Sequence, residues 1–176
     1  MHISSWVSLP FPRSLVYPTY RDKLVELTPY LGNVREIELK ERHPVDHGLD
    51  MILIWHGGGE IPAAARALLS DAMLSWTDHT HWDDQNHLTL WRIEPHAFTE
   101  AVHCHGRNLF LEDGEQTVIK SDGELVIDPG LISGVPSFLS GIVAKAVEDY
   151  LSQKIEPNFR QLAQGVETYL TQQRSS

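Results

Sequence analysis

Residues 77–87, TDHTHWDDQNH, place three histidines and three aspartates in eleven positions, and VHCHG at 102–106 sets two more histidines around the single cysteine. Imidazole and carboxylate are common ligands of zinc, iron and manganese, and common agents of proton transfer. A metal needs three or four ligands that converge, and neither stretch has the spacing of a fixed metal motif. Side chains two apart on a strand share a face. His79 and His81 therefore point together with Ser75 and Thr77, while Leu74, Trp76, Asp78, Thr80 and Trp82 take the other, more apolar side. The expectation for His79, His81 and His87 is a solvated hairpin end, with no metal and no cofactor assigned. His103 and His105 share their face with Arg107, Leu109 and Leu111, and are candidates for ligand contact or acid/base chemistry. Cys104 lies on the opposite face, so neither neighbour can act as its base.

A second group of candidates lies in LTLWRIEPH, residues 88–96. Arg92 and Glu94 share one strand face with Leu88 and Leu90, either as a surface pair or as the polar anchors of a pocket. Trp55, Trp76 and Trp91 are explained equally by core packing and by stacking on a ligand. HGGGE at 56–60 lacks the Lys and Ser/Thr of a P-loop, a dinucleotide fingerprint and a nucleophile elbow, and reads as a glycine turn.

The chain around these residues has 176 positions, 41% hydrophobic, enough for one domain with its own core. A net charge of -10 argues against nucleic acid, whose phosphates require a dense Lys/Arg surface. One cysteine excludes an intrachain disulfide and a cysteine-only zinc site. With no signal-like leader and no apolar run long enough to span a bilayer, the expectation is a cytoplasmic protein without a membrane span.

HISSWVSL predicts an opening strand before PFPRS, whose Ser14 is a candidate helix cap. SLVYPTYRDKLVELTPYL then predicts two short helices, or one helix kinked at Pro18. NVREIELKERH and GLDMILIWHGGG read as a hairpin turning at PVDHG, and EIPAAARALL, within 60–70, as a helical insertion. Two alternating stretches meet at DDQN, and two further turns are expected at EDGE and SDGE, giving a consecutive antiparallel meander. From 135 onward the pattern is helical. Leu139, Val143, Ala146, Val147, Tyr150 and Leu151 form one stripe, and Phe159, Leu162, Val166 and Tyr169 continue it past a kink or break at Pro157. Residues 1–172 read as a single domain and 173–176 as a disordered tail.

Carried by SLPFPRSLVYPTYRDKLVELTPYLGNVREIELKER at the front, and by TVIKSDGELVID and SGIVAKAVEDYLSQKIEPNFRQLAQGVETYL at the back, this order of elements resembles the START-like (SRPBCC, helix-grip) superfamily. Polyketide cyclase/dehydrase and lipid-transfer proteins belong to it. The resemblance implies an α+β fold in which a curved antiparallel sheet of about six to seven strands wraps a long C-terminal helix, with two short helices after the first strand. It also implies a hydrophobic cavity between sheet and helix. The 60–70 insertion departs from that pattern. The candidate ligand-binding set is Trp55, Trp76, Trp91, Arg92, His103, His105, Leu139, Val143 and Tyr150. The expected function is binding of a hydrophobic small molecule of lipid, sterol-like or polyketide-like type. The alternatives are a polyketide cyclase/aromatase-type enzyme using cavity His and Arg residues, or an interaction or stress-related domain without a dedicated ligand.

Overall fold

The computed structural model describes residues 1–58 and 74–176, so the expected helical insertion lies outside the described residues. Strand β1 (His2–Leu9) leads into helix α1 (Arg13–Asp22) and the single turn α2 (Leu24–Leu27). Six more strands follow: β2 (Val34–Val45), β3 (Gly48–Gly57), β4 (Ser75–Asp83), β5 (Leu88–Pro95), β6 (Val102–Asp113) and β7 (Gln116–Ile127). Helix α3 (Ser137–Ser175) ends the chain. The strands form one antiparallel sheet in the order β1-β7-β6-β5-β4-β3-β2, the predicted meander with the first strand returning to pair with the last.

Local chemistry explains the turns. At DDQN, Asp83 accepts hydrogen bonds from the backbone N–H groups of Gln85 and Asn86, and His87 takes a positive φ of 51° to start β5. At EDGE, Gly114 supplies the positive φ, 61°, that the β6–β7 turn requires. Two register shifts in β2, between Val34 and Glu36 and between Leu39 and Glu41, mark bulges that bend the edge strand and help curve the sheet.

Several expectations are corrected. SDGE forms no turn: Ser121–Glu124 lie inside β7, paired residue by residue with both β1 and β6. Helix α1 begins at Arg13 with Pro12 as its cap, and no side chain caps it, Ser14 included. The two expected short helices are present and divide at Lys23, with Pro18 inside the first, and Pro157 does not interrupt α3. Helix α3 runs to Ser175.

The inner face of the sheet is mostly apolar, set by the alternation of the strands. Leu49, Met51, Leu53 and Trp55 on β3 are buried, as are Trp82 on β4, Trp91 on β5, Cys104 and Phe110 on β6, and Ile119 and Leu125 on β7. One cluster joins this face to α1 and α2 and to Ala163, Val166 and Leu170 of α3. A second packs Trp91, Val102, Cys104 and Leu125 against Val147, Leu151, Ile155 and Phe159 of α3. Helix residues from both clusters and the inner face of the sheet line a common space.

Candidate functional site

The space left between sheet and helix is a cavity of about 340 Å³. Indoles form much of its sheet wall, with Trp55 on β3, Trp76 and Trp82 on β4, and Trp91 on β5. α3 closes it with Tyr150, Leu151, Ile155, Phe159 and Leu162, and adds the polar Gln153, Lys154, Asn158 and Gln161. Trp55 and Trp76 are register partners and stack face to face, with ring centroids 5.7 Å apart and planes 13° from parallel. Trp91 meets Phe159 of α3 at 5.8 Å, which ties helix to sheet at the cavity wall.

Trp91 reaches this position because nothing stands beneath it. Its partner across β5–β6 is Gly106, whose partner across β6–β7 is Gly123. A Cβ on Gly106 would lie 2.4 Å from the Trp91 ring, and one on Gly123 2.7 Å from it. Both glycines are therefore required by the close approach of an indole to the sheet. The Trp91 N–H donates to Asn108 Oδ1 at 3.2 Å, and the Trp82 N–H to Thr80 Oγ1 at 3.1 Å.

Amid these rings lies one carboxyl, that of Asp78. It faces inward from β4, opposite Leu53 on β3 and Ile93 on β5, and Ile93 in turn pairs with Cys104. Its Oδ1 is shut off from solvent and has no hydrogen-bond partner among the described residues. Loss of hydration raises its pKa to about 7, with the nearby Trp55 indole N–H acting in the opposite sense. That N–H is itself without a partner in hydrogen-bond geometry, as is the Thr89 hydroxyl. Three buried polar atoms on cavity-lining residues thus lack a partner among the described residues, an arrangement that normally costs about 1–3 kcal/mol for each group. Burial, reinforced by Asp78, pushes the Cys104 thiol up to about 12, so it is an inert thiol and not a nucleophile. Lys154 holds its ammonium 5.8 Å from the centre of the Tyr150 ring.

Of the nine candidates, the structure brings Trp55, Trp76, Trp91 and Tyr150 together at the cavity. The other five lie elsewhere. Arg92, His103 and His105 are exposed on the outer face of the sheet, because strand alternation assigns the inner face to Trp91, Val102 and Cys104. Arg92 pairs there with Glu94, which also meets His79 at 3.2 Å. The cavity reading of these three residues is corrected accordingly. Leu139 is 37% exposed, and Val143 packs on the small cluster of Ala101, Ile132 and Ala144, one turn or more before the helix reaches the cavity.

His79 and His81 also face outward, His81 bonding Asp50 at 2.6 Å, while His87 packs edge-on against Tyr17. Burial and the Arg92 cation lower the His79 pKa. Among the described residues, the set with ligand atoms close enough to share a metal ion is Glu36, Glu38 and His56, and Glu38 there already bonds Lys40 and His56. The residue the candidate set lacks is Asp78, although its side of β4 is plain in the alternation of Trp76, Asp78, Thr80 and Trp82.

No family model matches the sequence, and no curated protein does. Solved structures do. A Thermus thermophilus protein, TTHA0849, superposes with a TM-score of 0.68 at 19% identity, over 96% of this chain and 99% of that one. The Zhui aromatase/cyclase from Streptomyces sp. R1128 gives 0.67 at 17% identity, over 96% and 92%. Norcoclaurine synthase from Thalictrum flavum gives 0.64 at 16%, over 97% and 86%. At such identities the likeness is one of architecture, and together with the curved seven-stranded sheet and its long closing helix it establishes that this chain has the helix-grip fold.

Proposed function

We propose that this chain binds a hydrophobic small molecule in the cavity between its sheet and α3. The observation that carries this reading is the cavity itself, about 340 Å³ walled by four indoles and the apolar face of a helix. Cavities of this size that are apolar, with a few convergent polar groups, are the usual form of a small-molecule site. Aromatic rings can cover a flat or polycyclic ligand on both faces. Native mass spectrometry of the purified protein, followed by solvent extraction, tests the reading. A retained hydrophobic mass is expected. A chain that retains nothing and takes up no aromatic probe would instead favour an interaction domain with no dedicated ligand.

A second reading is favoured by Asp78. A carboxyl with a pKa of about 7 inside an apolar cavity is suited to exchange protons with a bound substrate near neutrality. Two of the similar structures are an aromatase/cyclase and a synthase by name. In an enzyme of cyclase type built on this chain, Asp78 would take the acid/base role that the sequence suggested for histidine and arginine, since those side chains lie on the outer face. The test is turnover of a linear polyketone mimic, with loss of turnover in Asp78→Asn.

A further inference from the structure

Resting on the reading of the cavity as a small-molecule site, we propose that its ligand carries a protonated amine, held by the Asp78 carboxylate and by the indole faces around it. The walls of the cavity define this chemistry. Asp78 is the only acidic residue among the described lining residues, and its buried Oδ1 finds no partner among them. Lys154 is the only basic residue among them; it lies near the Tyr150 ring and forms no ion pair with Asp78. An ammonium group would give the carboxylate a charge-assisted hydrogen bond and compensate a charge that the cavity otherwise desolvates. The same group would be attracted by the negative faces of indoles, the strongest of the aromatic side chains for cations.

Anionic amphiphiles such as fatty acids fit poorly, because a carboxylate would enter beside Asp78 with a single lysine to meet it. A neutral alcohol or ketone would fill the volume, but would leave the indole faces without a cation and the carboxylate without a counter-charge. The ligand class is therefore an aromatic or polycyclic amine of modest size.

Titration calorimetry with three probes of matched shape tests the assignment: naphthylethylamine, naphthylethanol and naphthylacetate. The amine is expected to bind wild-type protein roughly tenfold or more tighter than the alcohol, and the acid weakest, as one charge-assisted hydrogen bond in a desolvated site implies. In Asp78→Asn the preference for the amine should vanish while the alcohol keeps its affinity. Asp78→Ser gives the same readout if the amide variant does not fold. Alcohol binding equal to or tighter than amine binding in the wild type, or an amine preference that survives in the variant, overturns the amine assignment and leaves the cavity reading standing. Failure of all three probes to bind overturns both.

Discussion

Asp78 places an ionisable carboxyl where the walls are indole and aliphatic carbon, and this has a thermodynamic signature. Its proton is held with a pKa of about 7 in the folded chain, against 3.8 for an ordinary aspartate. Between those values the folded state carries a proton that the unfolded state has lost, so stability falls as pH rises. The contribution is fully present below the unfolded pKa and is lost as pH passes through 7, a difference on the order of a few kcal/mol. Around Asp78, the Cys104 thiol at about 12 and the raised phenols of Tyr20 and Tyr150 stay neutral across that range. Asp78→Asn is expected to unfold at a higher urea midpoint than wild type near pH 8, and at nearly the same midpoint near pH 4, since the amide cannot ionise. A variant with the same pH slope as wild type would show that the carboxyl is solvated after all. Alternation along WTDHTHW was enough to assign every β4 side chain to its face, including the outward His79 and His81. The cavity on the other side was implied by the resemblance, but its size and lining were not legible, because they depend on how α3 packs against the sheet. Residue type then drew attention to Arg92, His103 and His105, whose own parity with Trp91 and Cys104 carried the answer.

At the scale of elements, strands and helices are largely written in local pattern, and the misreadings come from glycines and prolines serving tertiary ends. SDGE has the composition of a turn, yet Gly123 continues β7 because a tryptophan two strands away lies over it. Gly123→Ala is expected to destabilise the chain by about 1–3 kcal/mol in urea unfolding, the usual cost of overpacking. Its Cβ would sit 2.7 Å from the Trp91 ring and 2.6 Å from the His105 carbonyl oxygen, so the indole must shift and the cavity with it. Binding of the naphthyl probes should weaken in the same variant. Pro157 has no N–H to give the Gln153 carbonyl, at a point where α3 lines the cavity. The helix continues through it because residues on both sides are fixed by packing: Leu151 and Ile155 before, Phe159 and Leu162 after. Local propensity predicts a break there, and tertiary contact overrides it.

The whole molecule depends on long-range closure. β1 pairs with β7, Ile3 opposite Gly123, and α3 meets the sheet only after every strand has been placed. Ending the chain after residue 156 would remove Phe159, Ala163, Val166 and Leu170 and expose the faces that pack on them. Such a truncation is expected to lose the cooperative unfolding transition and to bind a hydrophobic dye, as partly packed chains do. Retention of a sharp transition would mean that the sheet and the first two helices fold as a unit. The net charge of -10 belongs to a chain whose cavity has one acid and one base in its described lining, so most of the charge lies outside the cavity. The strand order also sets a sequence in time. While the chain is being made, β2 to β6 can pair with their neighbours as they appear, but β1 must wait for β7, more than a hundred residues later, and the helix that closes the cavity comes last of all. Until then the four indoles stand on an open sheet, and a ligand present during synthesis meets its site before the site has a roof.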